Sequence, residues 1–399
     1  MPTICFINGW SGGSTGNICL DIADELSANN GYRFVFVTRE KPTKQKSSKY
    51  TYLSLGTGLR YYFYRLLALI MDNDGFTANF FTKKIEKMLL SSGVDLLHIN
   101  NVHSNFVNVE ELVNFAEQHK IKIVWTLHDE WIVTGRCACF YECEEWKNGC
   151  IRCRHTNFYP KGLFSFSQAS FWRKKGRLLA DQNILFITPS CWLANLVKTR
   201  CPSARVSVIN NGIDDKTFHR TAPLNVIKET SKNRFVVGSA AYPFTNRKGL
   251  DFILRLAREL DPEVYFVVAA GLEIKKPKVI GNLLLLPKIL SKNEMCNFYS
   301  SLDAFVNPTT SDVFSNTNME ALCCNVPVIS FNVGGACEML DGSPFQKKIP
   351  IGDISSCKSA LNELRGNKLH PDFDTHLFGK SVFAEKYYDV YSQLTRNEQ

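Results

Sequence analysis

The stretch TICFINGWSGGSTG, residues 3–16, decides the fold class, because it joins a short apolar run to a glycine-rich loop. Thr3 to Asn8 is predicted to be a buried strand. Residues 17–29 then repeat apolar side chains at helical spacing. A strand, a glycine loop and a helix in this order are typical of the start of a βαβ unit.

The same alternation continues along the chain and then restarts. Further strands are predicted at residues 33–38, 95–100, 121–127 and 184–188, and then at 205–209, 235–238, 264–269, 283–286, 304–306 and 326–330. Helices such as 109–118, 249–260 and 318–323 lie between them, and a turn-rich stretch at 210–214 marks the restart. The polar, lysine-rich residues 41–49 are predicted to form a mobile loop.

We therefore predict an α/β fold of two Rossmann-like, doubly wound domains that face a cleft. The first domain comprises residues 1–205 and is rejoined by a C-terminal helix at residues 378–399. The second comprises residues 206–377. Open parallel sheets bind ligands at the carboxyl ends of their strands, so we expect functional side chains in the loops there.

Composition narrows the class of partner without choosing one. The chain has 399 residues, of which 45% are hydrophobic and 21% charged, and this excludes extensive disorder. A formal net charge of +9 favours a nucleotide, phosphate, nucleic acid or acidic membrane surface. The chain start lacks a basic segment before an apolar run, and no long apolar span follows, so we expect a cytoplasmic protein.

Two loops are predicted to contact phosphate. Gly12 and Gly13 precede a helix, whose N-terminus favours anions, although a plain tight turn fits the same residues. Arg247 and Lys248 lie between a strand and a helix, where two cations are suited to a diphosphate. The alternative for this second loop is a solvated basic surface.

The stretch PTTSDVFSNTNMEA, residues 308–321, follows a predicted strand. Asp312 and Glu320 carry carboxylates that are able to accept hydrogen bonds from sugar hydroxyls. Backbone N–H groups near Asn316 and Thr317 are predicted to face an anion. Helix capping by Asn316 or Thr317, with Glu320 as a partner of the helix dipole, fits the same residues.

One histidine and a set of cysteines complete the candidates. His128 ends an apolar strand, where it is placed to be a hydrogen-bond partner or proton carrier. Four thiolates are suited to a structural zinc ion, with free thiols as the alternative: Cys137, Cys143, Cys150 and Cys153. Asp72 and Asp74 form a D-x-D sequence, but the run before it predicts a helix, which argues against a divalent metal ion there.

Aromatic and basic residues alternate over residues 164–177. They predict either docking on an anionic membrane surface or ordinary packing against the first sheet. Tyr61 to Tyr64, between Arg60 and Arg65, offers a second surface of the same kind.

These motifs together resemble the retaining GT-B glycosyltransferases of family 4. Asp312 and Glu320 have the spacing of that family's Glu-x7-Glu signature, with Asp in the first position. Residues 247–249 (R-K-G), 211–214 (N-G-I-D) and 189–193 (P-S-C-W-L) are similar to its other motifs.

A narrower resemblance links the first domain to the subfamily that builds bacterial exopolysaccharide (colanic-acid type) and O-antigen units. It rests on H-D-x-W-x-x-T-G-x-C at residues 128–137 and W-x-x-G-C-x-x-C at residues 146–153. Asn100 stands where that subfamily commonly has His, and Ser104 where it has Gly. The acceptor side is therefore expected to be particular to this chain.

The resemblance implies metal-independent transfer of a sugar, with retention, from a nucleotide-diphosphate sugar to a glycan acceptor, which the subfamily carries on a lipid. Arg247 and Lys248 are then expected to bind the diphosphate, and Glu320 the ribose. Asp312 and His128 are expected to contact the donor sugar. No cofactor is expected in catalysis.

Two alternatives come from other classes. A nucleotide-sugar 2-epimerase on the same architecture would convert donor alone and need no acceptor. A non-enzymatic protein that binds zinc and nucleic acid would show steep salt dependence on nucleic acid. Neither accounts for Arg247, Lys248, Asp312 and Glu320 in matching loops, so no nucleic-acid partner is expected.

Overall fold

A computed structural model describes residues 1–29, 31–72, 74–151, 153–164, 168–289, 291–340, 343–367 and 374–396. The chain divides into two compact units. The first comprises Met1–Asn210 and Phe383–Gln399, and the second Asn211–Val382. The predicted boundaries, after residues 205 and 377, lie a few residues earlier along the chain.

The first unit is built on a seven-stranded parallel sheet with the order β3-β2-β1-β4-β5-β6-β7. Its strands are β1 (Thr3–Asn8), β2 (Arg33–Thr38), β3 (Thr51–Ser54), β4 (Leu96–Ile99), β5 (Lys122–Thr126), β6 (Ile184–Thr188) and β7 (Val206–Val208). The central strands are buried along their whole length, as parallel strands covered on both faces require.

The second unit also has a seven-stranded sheet, with the order β10-β11-β9-β8-β12-β13-β14. Its strands are β8 (Phe235–Ala240), β9 (Tyr265–Leu272), β10 (Lys278–Ile280), β11 (Leu283–Pro287), β12 (Ala304–Asn307), β13 (Val328–Phe331) and β14 (Gln346–Ile349). The pairing is parallel except at the edge strand β10. An apolar core lies on each face of this sheet.

Helices cover the sheets. They are α1 (Gly13–Asn29), α2 (Lys44–Lys49), α3 (Leu59–Met71), α4 (Asn79–Ser91), α5 (Val109–Gln118), α6 (Gln168–Ala180), α7 (Cys191–Arg200), α8 (Asn225–Ser231), α9 (Leu250–Glu259), α10 (Lys292–Tyr299), α11 (Asn316–Cys323), α12 (Ile354–Asn367) and α13 (Lys380–Arg396). In the ranges given above, no helix has both the length and the apolar character to cross a membrane.

The C-terminal helix α13 packs on the first unit. Phe383, Tyr387 and Tyr391 join the apolar cluster around β1 and β2. The Tyr391 hydroxyl lies 2.6 Å from His98 Nδ1, and His98 Nε2 lies 2.7 Å from Thr126 Oγ1. Burial lowers the pKa of His98 well below its usual value, so its neutral ring is a hydrogen-bonded core residue.

The predicted fold class, two doubly wound α/β domains, is confirmed. Two local predictions are wrong. Residues 44–49 of the predicted mobile loop form α2, and Lys46 of that helix donates to the Ser11 carbonyl. The strand predicted at residues 205–209 belongs to the first sheet, because β7 pairs with β6.

Candidate functional site

The second unit has a crevice where the strand order reverses, between β8 and β12. Chain connections leave these two strands in opposite directions, so the loops after them separate at the carboxyl edge. The loop after β8 carries Arg247 and Lys248, and the loop after β12 carries Asp312. The structure therefore brings together two motifs that lie more than sixty residues apart in the sequence.

Gly249 lets these loops touch. Its φ is +86°, and a Cβ there would lie 2.3 Å from both the carbonyl oxygen and the Cγ of Pro308. Only glycine fits both the left-handed conformation and the contact. The Thr310 N–H then donates to the Arg247 carbonyl at 3.1 Å, which fixes the two loops side by side.

Lys248 and Asp312 form an ion pair across the crevice. The Lys248 Nζ lies 2.7 Å from Asp312 Oδ2, and both side chains are half-buried. Arg247 next to it is exposed and makes no ion pair within the described part of the chain. Lys248 is therefore engaged by Asp312, while the Arg247 guanidinium faces solvent.

Amide side chains order the start of α11. Asn307 Nδ2 donates to Ser315 Oγ at 2.8 Å and to Asn318 Oδ1 at 2.9 Å. Asn211 donates to Asn316 Oδ1 at 3.0 Å. The predicted capping by Asn316 or Thr317 is wrong, since the N-cap residue is Ser315 and its side chain accepts no hydrogen bond from the first turn.

Glu320 lines a cavity of about 200 Å³ beside α11, together with Thr317, Tyr242 and Lys288. The Tyr299 hydroxyl donates to Glu320 Oε2 at 2.8 Å, which orients the carboxylate. Burial raises the pKa of Glu320 to about 7. The Lys288 ammonium lies 4.1 Å from the Tyr242 ring centroid.

Tyr242, Lys288 and Tyr299 were not predicted from the sequence. Tyr242 lies five residues before Arg247 in the same loop, a position that was a usable signal. Nothing in the local sequence around Lys288 or Tyr299 points to the cavity, because β11 and α10 reach it only through the tertiary fold.

The first unit has its own switch point, between β1 and β4. Gly12 directly precedes α1 and Gly13 is the first residue of that helix, with a φ of +72°. The Lys46 Nζ donates to the Ser11 carbonyl at 2.7 Å, so a cation stands beside the glycines. The sequence did not single out Lys46, because it was placed in a mobile loop.

His128 follows β5 at the same edge of the first sheet. Its Nε2 lies 2.9 Å from Asn100 Oδ1, and Asn100 Nδ2 donates to the His98 carbonyl at 3.4 Å. This network assigns the proton to Nε2 of His128 and leaves Nδ1 as an acceptor. Burial lowers the pKa of His128 to about 4, so the ring is neutral at physiological pH.

A second histidine, paired with an aspartate, lies beside His128 and was not predicted. His103 Nε2 lies 2.6 Å from Asp129 Oδ2, and Asp129 Oδ1 accepts from the Trp131 N–H at 2.9 Å. Burial opposes charge on both groups, but their attraction outweighs it, raising the pKa of His103 and lowering that of Asp129. The motif H-D-x-W thus serves partly to hold His103.

The predicted structural zinc has no geometric support. In the described ranges no three His, Cys, Asp or Glu side chains are placed to hold a metal ion. Cys150 Sγ instead accepts from the Gly135 N–H at 3.2 Å, and Arg136 contacts Cys153 Sγ. Burial raises the pKa of Cys137 to about 12 and of Cys150 to about 11, and Cys143 lies in the same loop.

The aromatic residues within α6 pack against neighbouring segments, whereas Phe164 before the helix is 45% exposed. Phe171 stacks on Phe76 with ring centroids 5.0 Å apart, and the Trp172 indole donates to the Trp146 carbonyl. Lys174 pairs with Glu110 at 2.6 Å, and the buried Lys175 donates a hydrogen bond to the Trp131 carbonyl. These contacts favour the packing interpretation for α6 itself; residues 165–167 of that stretch lie outside the described ranges.

The architecture and these loops define an α/β protein of two doubly wound sheets, each with candidate site residues at the carboxyl edge. Sequence models agree: residues 15–217 match Glycosyltransferase Family 4, and residues 232–367 match Glycosyl transferases group 1. Because the first match covers just over half of the chain, the chain belongs to glycosyltransferase family 4.

Relatives and solved structures give the same picture. The chain is 30% identical over 264 residues to a putative colanic acid biosynthesis glycosyl transferase, WcaC, of Escherichia coli K12 (63% of this chain). It is 30% identical over 209 residues to the O-antigen biosynthesis glycosyltransferase WclY of Escherichia coli (49% of this chain). The alignments cover 64% and 58% of these relatives' own lengths.

The fold is also similar to Alr3699/HepE of Anabaena, solved in complex with UDP-glucose. The TM-score is 0.65 at 13% identity, with 98% of this chain and 99% of that chain covered. This likeness concerns the fold alone.

The raised pKa of Glu320 predicts a pH dependence of stability. A carboxyl with a higher pKa in the folded state than in the unfolded state binds its proton more tightly when folded. Its contribution is therefore present below the unfolded value of 4.5 and is lost as pH rises to about 7. We expect the free energy of unfolding to fall by no more than about 3 kcal/mol across this window.

Urea unfolding at several pH values, followed by circular dichroism, measures this loss. Glu320→Gln should flatten the pH dependence, whereas Glu273→Gln, at an exposed carboxylate of the same unit, should leave it as in the parent chain. Equal slopes in the parent and Glu320→Gln would show that Glu320 titrates normally.

Proposed function

We propose that the chain transfers a sugar from a nucleotide-diphosphate sugar to a lipid-linked glycan acceptor, with retention of anomeric configuration, in surface polysaccharide synthesis. The observation that carries the proposal is the crevice between β8 and β12. It sets Arg247 and Lys248 opposite Asp312, and Glu320 lines the adjoining cavity. The polysaccharide relatives and the UDP-glucose complex of the similar fold support the choice of substrates.

The residues divide the work as follows. Arg247 and Lys248 neutralise the departing diphosphate, helped by the uncapped first turn of α11 at Asn316 and Thr317. Glu320, oriented by Tyr299, accepts hydrogen bonds from the ribose hydroxyls. Gly12 and Gly13 of the first unit offer backbone N–H groups to a phosphate, as the family resemblance implies.

The family resemblance assigns contact with the donor sugar to Asp312 in the second unit and to His128 in the first. When the diphosphate binds Lys248, the ion pair between Lys248 and Asp312 breaks. The Asp312 carboxylate then accepts hydrogen bonds from sugar hydroxyls. The Nδ1 atom of the neutral His128 accepts a hydrogen bond from one sugar hydroxyl, since Nε2 already donates to Asn100. The acceptor hydroxyl attacks the anomeric carbon on the leaving-group face, the bond to the diphosphate oxygen breaks, and the hydroxyl proton passes to that oxygen.

The diphosphate clamp is tested with Arg247→Ala and Lys248→Ala. Removing a preorganised charge partner should cost roughly 2–4 kcal/mol of transition-state stabilisation, and kcat/KM should fall accordingly. UDP binding, measured by calorimetry, should weaken in both variants while uridine binding changes little. Arg258→Ala, an exposed arginine on α9, is the control. Unchanged UDP affinity in Arg247→Ala would remove the clamp assignment.

Transfer is also proposed to be independent of a divalent metal ion. The carboxylates of the D-x-D sequence are engaged elsewhere, since Asp72 pairs with Arg136 at 2.9 Å and Asp74 accepts from the Asn105 N–H at 2.8 Å. We expect turnover to survive EDTA treatment at full rate. Loss of turnover with EDTA and its return with Mn²⁺ would contradict the proposal.

A lipid-linked acceptor requires contact with a membrane, and α3 offers the surface for it. Leu59, Phe63, Leu66 and Ile70 recur at helical spacing and are exposed, Leu59 by 90%. Arg60 and Arg65 lie beside this stripe, where they complement anionic lipid. We propose that α3 rests on the inner membrane surface, in place of α6.

Co-sedimentation with vesicles of phosphatidylglycerol and phosphatidylcholine tests this surface. Phe63→Ser with Leu66→Ser should lower the partition coefficient about tenfold, because two large apolar side chains no longer enter the lipid boundary. Arg173→Glu on α6 should change it little. A strong effect of Arg173→Glu and none of the α3 double variant would move the contact back to α6.

A further inference from the structure

Asn100 follows β4 and is held in place by its own backbone. Its N–H donates to the Ile7 carbonyl of β1 at 2.9 Å, and its carbonyl accepts from the Trp125 indole N–H of β5 at 3.1 Å. The residue is only 3% exposed. Because it is bonded to both neighbouring strands, Asn100 presents its side chain from a fixed point at the carboxyl edge of the first sheet.

The two ends of the Asn100 amide are not interchangeable. Its Nδ2 lies 3.4 Å from the His98 carbonyl oxygen, and its Oδ1 lies 2.9 Å from His128 Nε2. Turning the amide over would set Oδ1 against the His98 carbonyl, so that two oxygens without a proton between them would face each other. The oxygen end therefore points to His128. Since an amide oxygen only accepts, the proton of this hydrogen bond comes from Nε2 of His128.

His128 carries only this one proton. Burial lowers its pKa to about 4; the charge of Asp129 opposes this shift, and the charge of His103 adds to it. His98, on the adjacent strand, is itself neutral because burial also lowers its pKa. With a single proton on Nε2, the Nδ1 atom of His128 has a lone pair and is a hydrogen-bond acceptor.

The Nδ1 atom is the end of the His128 ring that is left for a ligand. The ring is half-buried, and no hydrogen bond joins Nδ1 to another residue in the ranges that the structure describes. A lone pair in this position accepts a hydrogen bond from a hydroxyl and repels the oxygens of a carboxylate. A site built to bond a hydroxyl also rejects a ligand that lacks it, because the polar atom of the site is then left unpaired.

Asparagine differs here from the histidine that is common at this position in the subfamily that the chain resembles. A neutral histidine is able to donate from one nitrogen and accept at the other, so it would leave the ring of residue 128 with two possible tautomers. The amide of Asn100, held with its oxygen toward His128, leaves one tautomer. The residue in this chain therefore fixes a proton position that a histidine would leave open.

We propose that Asn100 is a positioning residue that keeps the proton of His128 on Nε2, and that it thereby selects donor sugars with a free hydroxyl at Nδ1 over sugars with a carboxylate or no hydroxyl there. The inference rests on the proposed function, in which His128 contacts the donor sugar, and adds the residue that decides which sugars fit. Asn100 acts through His128, since its own side chain is buried.

Nitrogen NMR of the full chain, with isotope-labelled histidine, measures the proton position without any ligand. Long-range proton–nitrogen spectra separate the two neutral tautomers from the imidazolium, and the spectrum of His128→Gln identifies the His128 signals among the eight histidines. We expect the Nε2–H tautomer in the parent chain near neutral pH. Asn100→Leu, which lacks the accepting oxygen, should give a mixture of both tautomers.

Asn100→Asp tests the same contact through charge. A carboxylate at residue 100 stabilises the imidazolium, so the pKa of His128 should rise from about 4 toward its ordinary value of 6.5 or above it. Asn108→Asp is the matched control, since it makes the same change of charge in the same unit. It also keeps the side-chain oxygen that caps α5 by accepting from the Glu111 N–H at 3.4 Å. This control should leave the pKa of His128 at its value in the parent chain.

Calorimetry with UDP-glucose, and with analogues in which fluorine replaces one sugar hydroxyl at a time, probes the sugar contact. Because fluorine does not donate a hydrogen bond, one analogue should bind the parent chain about tenfold more weakly than UDP-glucose. This difference should shrink in Asn100→Leu, whose His128 no longer offers a lone pair at Nδ1 in every molecule. The affinity for UDP should be the same in both proteins.

Three results would overturn the inference. They are an Nδ1–H tautomer in the parent chain, an unchanged single tautomer in Asn100→Leu, and equal affinity of the parent chain for UDP-glucose and every fluorinated analogue. If UDP binds while one of these results is found, the role of Asn100 fails and the proposed transferase function stands. If neither UDP nor UDP-glucose binds, the proposed function fails, and the selection of sugars by Asn100 fails with it.

Discussion

The reversal of strand order between β8 and β12 is the constraint on which the second unit's chemistry depends. Parallel pairing puts the carboxyl ends of both strands at one edge, and opposite crossover directions keep their loops from covering each other. The close approach of Gly249 to Pro308 then sets how far apart the loops lie. Lys248 reaches Asp312 only because this backbone contact excludes any side chain at residue 249.

That geometry gives the unliganded crevice a particular charge balance. Lys248 is satisfied by Asp312, while Arg247 remains exposed and Glu320 tends toward its neutral form because it is buried. A bound diphosphate would draw Lys248 away and release Asp312 to accept hydroxyl hydrogen bonds. An aspartate at this position reaches one methylene less than a glutamate, and its carboxylate lies 2.7 Å from the Lys248 ammonium.

Much of this arrangement is predictable from the sequence, and the parts that are not share a physical reason. Alternating apolar runs identify the fold, since strands buried on both faces must be continuously apolar. Arg247, Lys248 and Asp312 lie in loops that follow such strands, and Glu320 lies in the helix after one, so all four are found by position. By contrast, β3 and β14 have half-buried residues and weak apolar character, and α2 is a short polar helix, so periodicity misses all three.

Local sequence patterns also do not reveal contacts between segments that lie far apart in the chain. Tyr299 meets Glu320 only after α10 and α11 pack, and His103 meets Asp129 only after β4 and β5 pair. The aromatic and basic residues of α6 and α3 look equivalent in sequence. They differ in the structure because Lys174 pairs with Glu110 and Lys175 donates to the Trp131 carbonyl, whereas the outer stripe of α3 remains exposed.

The C-terminal helix shows how a distant segment supports His128. Tyr391 and Tyr387 of α13 bond to His98 and Thr126, which lie on the adjacent strands β4 and β5. The backbone of these two strands continues directly into Asn100 and His128, whose side chains bond at 2.9 Å. Because a neutral, fully bonded His98 ties both strands to the helix, the spacing of Asn100 and His128 follows from core packing. The Nδ1 atom of His128 is thereby oriented by residues that are themselves buried in the core.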